Sequence, residues 1–218
     1  MQFAYFAFTA YLCGQMVKAI VFDIGGVLVD LDLNRCIRAF REILGFERIT
    51  EILDASHQKG IYGDMEAGLL SADRFRELIL AESRPGCTGA DVDRAMAALL
   101  TGVPEATAQV VKDLSARYPL YLLSNNNPIS MARTYELLRG VGIEPETAFR
   151  GQFISCEMKL LKPTQECYRE VQRWIGLPAG EILFIDDNQA NVDAALQAGW
   201  QARYYEPGTS LQALLADL

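Results

Sequence analysis

The stretch Lys18-Ala19-Ile20-Val21-Phe22-Asp23-Ile24-Gly25-Gly26 decides how the rest of the chain is read. A short apolar run that ends in a carboxylate and a double glycine has the pattern of a buried strand whose carboxyl end opens into a loop. Similar runs recur downstream. Residues 120–123 run into Ser124-Asn125, residues 182–185 into Asp186-Asp187, and residues 202–205 into Glu206-Pro207. Helical patterns with readable ends lie between them. Pro104-Glu105 opens one that carries Val110, Val111 and Leu114. Thr164, with Gln165 and Glu166, opens another with the apolar face Cys167, Tyr168, Val171, Trp174 and Ile175, stopped by Gly176. Strands alternating with helices predict an α/β fold with a doubly wound parallel sheet.

From about residue 33 to residue 103 the alternation stops. Residues 34–44 place Ile37, Phe40, Ile43 and Leu44 on one helical face, and Ser71 caps a helix bearing Phe75, Leu78 and Ile79. Thr88 with Asp91 resembles a capping box ahead of Val92, Met96 and Leu99. The expected organisation is an α/β core of residues 16–32 and 104–218, with residues 33–103 forming a small all-helical cap inserted after the first strand. The short stretch between Ser124 and Lys162 leaves no room for a second large cap.

Bulk properties narrow the function. The 218 residues are 50% apolar, enough for a proper core, and carry a net charge of -8. With an isoelectric point of about 4.8, such a molecule repels nucleic acid and anionic membrane surfaces. Cys13, Cys36, Cys87, Cys156 and Cys167 form no CxxC pair or regular framework, which fits free thiols in a reducing cytoplasm. His57 is the only histidine, so most Ser-His-Asp, Cys-His and multi-histidine zinc chemistry is excluded. It stands in the charged stretch 54–59, as a solvated surface residue would. Catalysis must therefore run on carboxylates. Residues 1–15 are apolar without Lys or Arg, lack the cationic region and cleavage site of a secretory signal, and are too short to span a membrane. Met16 opens the run into the first strand. Residues 1–15 are then either an upstream misassigned start or a hydrophobic extension packed on the surface.

The strand ends carry complementary polar groups. Asp23 offers a carboxylate, Ser124-Asn125 a hydroxyl and amides, and Asp186-Asp187 a carboxylate pair, while Lys162 precedes Pro163 at the entrance to a helix. Ligands of open parallel sheets bind beyond the carboxyl ends of the strands. Carboxylates for a divalent cation, one ammonium and one hydroxyl make a phosphoryl-transfer inventory. Each group also has a plain structural use: Asp23 as a turn cap, residues 124–127 as a polar loop capping the next helix, Lys162 as a solvated lysine, Asp186-Asp187 as a cap for the helix from Gln189. Their order on successive strand ends favours one shared site.

Residues 20–28 (IVFDIGGVL), Leu122-Leu123-Ser124-Asn125, Lys162-Pro163 and Phe184-Ile185-Asp186-Asp187-Asn188 resemble, in order, the four motifs of haloacid dehalogenase-like hydrolases. The chain is similar in particular to bacterial sugar-phosphate phosphatases of the glucose-1-phosphate type and to the N-terminal phosphatase domain of soluble epoxide hydrolase. Asp30-Leu31-Asp32-Leu33-Asn34 also resembles the entry to the helical cap of the first group. The resemblance implies a Rossmann-like core and a Mg²⁺-dependent phosphatase acting on a small phosphorylated metabolite. It makes Asp23 the nucleophile that forms an aspartyl-phosphate. Mg²⁺ would be held by Asp23, the Gly25 carbonyl and Asp187, with Asp186 coordinating or supporting. Ser124 and the backbone amide of Asn125 would bind phosphoryl oxygens, Lys162 would neutralise charge, and Asn191 would orient the metal site.

Two positions depart from the family pattern. Most phosphatases of this kind have Asp two positions after the nucleophile as general acid and base, and here that position is Gly25. Without that donor, substrates with acidic leaving groups, such as hexose 1-phosphates, acyl phosphates and aryl phosphates, are expected to outrun hexose 6-phosphates. Lys159 stands where relatives usually have Gly. Dehalogenation is an alternative, but the Asp186-Asp187 pair would repel a haloacid unless a cation lay between them. Phosphonate hydrolysis would draw on Lys59, the lysine of the insert, and mutase chemistry on the acid that Gly25 replaces. A non-catalytic module that binds a phosphometabolite is the other alternative, favoured by Gly25 alone.

Overall fold

Side chains alternate along β1 (Ala19–Phe22), so Ala19 and Val21 face one side of the sheet and Ile20 and Phe22 the other, and all four are fully buried. A strand apolar on both faces needs a layer on each side of it. The computed structural model, which describes residues 16–53 and 60–218, supplies both layers. The expected N-terminal extension with Cys13, and His57, lie outside the described residues. The further strands are β2 (Asp30–Leu31), β3 (Leu100–Gly102), β4 (Leu120–Ser124), β5 (Gly151–Ile154), β6 (Ile182–Asp186) and β7 (Gln201–Tyr204). Five of the strands form a parallel sheet in the order β5-β4-β1-β6-β7. The chain winds outward from β1 through β4 to β5, then crosses back to β6 and β7. The direction therefore reverses at β1, where a crevice opens beyond the strand ends.

On one face Ile20, Phe22, Leu122 and Ile185 pack with Val111 and Leu114 of the helix Glu105–Ser115 and Leu138 of the helix Pro128–Gly140. On the other, Val21, Leu123 and Phe184 pack with Tyr168 and Val171 of the helix Gln165–Ile175 and Ala195 of the helix Gln189–Gln197. Tyr168 meets Phe184 and Trp200 edge-on, with ring centroids 5.9 and 5.5 Å away. Trp174, expected on the buried face of its helix, is 57% exposed. Its ring covers the sheet edge instead: it lies edge-on to Phe153 at 5.2 Å, and a Cβ on Gly151 would come within 2.8 Å of it.

The insert has its own core of Cys36, Phe40, Leu44, Phe75, Ile79, Val92 and Met96. Ser71 caps the helix Ala72–Ala81 by accepting from Arg74 N at 3.2 Å, and Thr88 with Asp91 forms the capping box of the helix Gly89–Ala97. One correction concerns its end. Residues 100–102, expected within an all-helical cap, form β3 and pair antiparallel with β2. Buried Leu100 and β-branched Thr101 suit a strand, and the pairing ties together the two points where the chain enters and leaves the insert.

The cap seats on the core through the helix Gly60–Glu66 and the turn after it. Ser155 Oγ donates to the Glu66 carbonyl at 2.6 Å and accepts from Asn126 N at 3.0 Å. Gly68, at φ +70, lies so close to the Cys156 carbonyl that a Cβ would stand 2.3 Å from its oxygen. Cys36, Cys87, Cys156 and Cys167 are free thiols. Among the described residues no helix is long and apolar enough to cross a membrane.

Candidate active site

Sheet register brings the candidate residues together. Asp23 N donates to the Ile185 carbonyl at 2.9 Å, which continues the ladder one residue past β1. Ser124 and Asp186 are the last residues of β4 and β6, the strands on either side. Ile24 N donates to Asp23 Oδ1 at 2.7 Å and fixes the carboxylate beyond the strand end. The double glycine has a steric cause at its second member. Gly26 has φ +76, and a Cβ there would lie 2.0 Å from Asp187 Oδ2, so only glycine lets that carboxylate approach.

Lys162 is buried, with Nζ 3.0 Å from Asp23 Oδ1 and 2.6 Å from Asp186 Oδ2. Its backbone is held at two points: Asn125 Nδ2 donates to the Lys162 carbonyl, and Asn125 Oδ1 accepts from Lys162 N, both at 2.9 Å. Asp186 is fully buried. Its Oδ1 accepts from Asn188 N at 2.8 Å, and Asn191 Nδ2 bridges both oxygens at 3.1 Å. Asn191 therefore positions Asp186. The capping alternatives are taken by neighbours: Asn127 accepts from Ser130 N, and Asn188 from Ala190 N, at the starts of the two following helices. The flanking residues Ser124, Asn125, Asp186 and Asp187 are thereby left to the site.

Asp23, Asp186 and Asp187 each offer an oxygen within 4.8 Å of the others. Burial first, and then the neighbouring negative charges, push Asp187 up to about 7. Burial likewise raises Asp23, to about 6, with Lys162 opposing and Asp186 reinforcing the shift. Burial alone would lower Lys162, but Asp186 and Asp23 outweigh it and keep the ammonium charged. Three carboxylates face one ammonium. A divalent cation with hard oxygen preference answers both the charge excess and the donor set.

A cavity of about 690 Å³ opens over this floor. Asp23, Gly25, Ser124, Asn125, Lys162, Asp187 and Asn191 line it from the core, and Leu31, Tyr62, Glu66 and Leu99 from the insert side. Tyr62 and Glu66 were not singled out by the sequence. Their signal is spacing: Tyr62, Met65 and Glu66 all fall on the buried face of one helix, where a carboxylate is out of place. Glu66 is pushed up to about 8 by burial and then by Asp23, against the pull of Lys162. Tyr62 is held well above the ordinary phenol value, first by burial and then by Glu66. Its hydroxyl faces Ser130 and Asn127, whose Oγ and Nδ2 are buried without a well-formed hydrogen bond among the described residues.

The chain has relatives over most of its length. The chain is 29% identical over 202 residues to a D-ribitol-5-phosphate phosphatase of Bacteroides thetaiotaomicron, covering 88% of this chain and 94% of the relative. A haloacid dehalogenase family enzyme of the same organism, solved with magnesium and inorganic phosphate, superimposes with a TM-score of 0.81 at 29% identity, over 91% of this chain and 98% of the other. A structure described as a predicted haloacid dehalogenase-like family hydrolase, from Porphyromonas gingivalis, gives 0.81 at 30% identity, covering 93% and 97%. Residues 17–199 match the haloacid dehalogenase-like hydrolase family, and the chain belongs to it.

Proposed function

We propose that this chain is a magnesium-dependent phosphatase that hydrolyses a small phosphomonoester, a sugar or sugar-alcohol phosphate, through an aspartyl-phosphate on Asp23. The observation that carries the proposal is the buried Lys162 ammonium bonded to Asp23 and Asp186 beside Asp187 on the floor of the cavity between core and cap. Asp23, Asp187 and the Gly25 carbonyl would hold the metal, with Asp186 locked behind them by Lys162 and Asn191. When bound, Mg²⁺ supplies charge neutralisation for the phosphoryl oxygens and the attacking carboxylate. Ser124 and the Asn125 amide bind those oxygens, and Lys162 offsets the charge on Asp23 as its carboxylate attacks phosphorus.

A cavity of about 690 Å³ admits a monosaccharide phosphate and excludes a folded phosphoprotein. The relative named for ribitol 5-phosphate puts open-chain five-carbon phosphates first on a substrate panel. Release of phosphate from such a panel with Mg²⁺, and its loss in EDTA, tests the reading. Asp23→Asn should lower turnover by at least about 10³-fold with the circular dichroism spectrum unchanged. Wild-type turnover in that variant would overturn the mechanism.

A further inference from the structure

Gly25 leaves a task open. A phosphatase that expels an alkoxide needs a proton at the leaving oxygen, and the residue two positions after Asp23 has no side chain to give one. A Cβ on Gly25 would lie 3.2 Å from Leu31 Cδ1, the tip of an exposed side chain that would have to give way slightly. The donor has to come from elsewhere on the cavity wall.

Among the described residues the cavity offers few groups. Lys162 is bonded to two carboxylates, and Asp23 and Asp187 belong to the metal set. Tyr204 is 43% exposed at the sheet edge, and burial raises Tyr62 so far that its phenol is a weaker acid than a carboxyl. Glu66 remains. It is 5% exposed, lies outside the trio of close carboxylates, and its carboxyl has no hydrogen-bond partner among the described residues. Its place is fixed by the core. The Glu66 carbonyl accepts from Ser155 Oγ, which in turn accepts from the amide of Asn126, next to Ser124 and Asn125. The cap carboxyl is thus registered to the loop that faces the phosphoryl group.

We propose that Glu66 is the general acid and base of this enzyme, acting from the cap in place of the absent side chain at position 25. The inference rests on the phosphatase reading above. In the first half-reaction an Asp23 oxygen bonds to phosphorus, and the bond from phosphorus to the ester oxygen breaks with its electron pair going to that oxygen. The Glu66 proton follows, leaving free alcohol, aspartyl-phosphate and a Glu66 carboxylate. In the second, Glu66 takes a proton from water as the water oxygen bonds to phosphorus and the bond to Asp23 breaks. Inorganic phosphate leaves, with Asp23 ionised and Glu66 protonated again. The charged and titratable groups around Glu66 are Tyr62 on its own helix, Asp23 and Lys162 from the core, and Cys156 on the short helix Ser155–Met158. Burial, ahead of the nearby Asp23 and against Lys162, raises Glu66, the direction that favours a carboxyl able to donate a proton. A cap donor also removes the reason for primary-alcohol phosphates to lag behind 1-phosphates.

Pre-steady-state kinetics of Glu66→Gln separate the two half-reactions. With p-nitrophenyl phosphate, whose leaving group needs no proton, the first equivalent of nitrophenol should appear within about tenfold of the wild-type rate, followed by slow turnover. With ribitol 5-phosphate, formation of the first equivalent of ribitol should fall by about 10² to 10⁴. The fall in wild-type alkyl phosphate turnover at high pH should also vanish. Equal losses in the first step for both substrates, or unchanged turnover of both, would overturn the assignment. Glu66→Asp, which keeps a carboxyl, should recover part of the alkyl rate, and it replaces Glu66→Gln should the latter misfold. A wild-type protein that releases phosphate from neither substrate would sink the phosphatase reading itself.

Discussion

The floor and the roof of the cavity are built on opposite principles. On the floor most polar groups are already engaged: Lys162 by two carboxylates and two Asn125 contacts, and Asp186 by Lys162, Asn188 and Asn191. On the roof, Tyr62 meets only Ser130 and Asn127, and no hydrogen bond reaches the Glu66 carboxyl among the described residues. Burying unsatisfied polar groups costs stability, and a folded chain keeps them where something else completes them. The floor is pre-organised for a reaction common to many phosphoesters. The roof is left open for one substrate.

Substitutions should respect that division, beginning with the floor. Asn125→Ala removes both bonds that place the Lys162 backbone, and a displaced ammonium should cost about 10²-fold in kcat with the fold intact. Titration of Mg²⁺-dependent activity in Asp187→Asn should show metal affinity lowered at least about tenfold, with kcat at saturating metal less affected. On the roof, Tyr62→Phe should raise KM for a polyol phosphate by less than about tenfold and leave p-nitrophenyl phosphate turnover unchanged. A loss on the aryl substrate as large as that of Asn125→Ala would erase the contrast between the two regions.

The smallest effect is thermodynamic. Asp23, Asp187 and Glu66 have folded-state pKa values of about 6, 7 and 8, above their ordinary values of 3.8, 3.8 and 4.5. The folded chain then holds protons that the unfolded chain has released. Without metal, their contribution to stability is fully present below about pH 4 and is lost as pH rises through about 6 to 8. Metal binding displaces protons from Asp23 and Asp187, so the gain in Tm with Mg²⁺ over EDTA should be larger at pH 8 than at pH 5. Equal gains at both would separate the metal from these carboxylates.

The floor was legible in the sequence because Asp23, Ser124 and Asp186 each follow an apolar run, and parallel pairing carries such ends to one edge. The strand β5 was not, because only Phe153 and Ile154 of its residues are buried, and an edge strand needs no apolar run. Three residues of β3 are likewise too few for a period to show. Glu66 escaped because its burial is tertiary: a core loop covers it, and nothing local marks it except its helical face. Lys159 is the converse case. The resemblance called for glycine, and the lysine adopts the left-handed conformation anyway, at φ 56, ψ 29, closing the short helix Ser155–Met158 at a cost of about 1–2 kcal/mol.

Gly68 bears on how this molecule could acquire new substrates. With no Cβ, its backbone rests on the Cys156 carbonyl, and the thickness of two peptide groups sets the height of the roof. Any side chain at position 68 would act as a shim, lifting Glu66 away from Ser155 and widening the cavity to bulkier phosphoesters while admitting water. Breadth of substrate and dryness of the site are therefore opposed at one residue that touches neither the metal ligands nor the phosphate loop. Selection for a larger substrate would meet a loss of rate there before any group facing the substrate had changed.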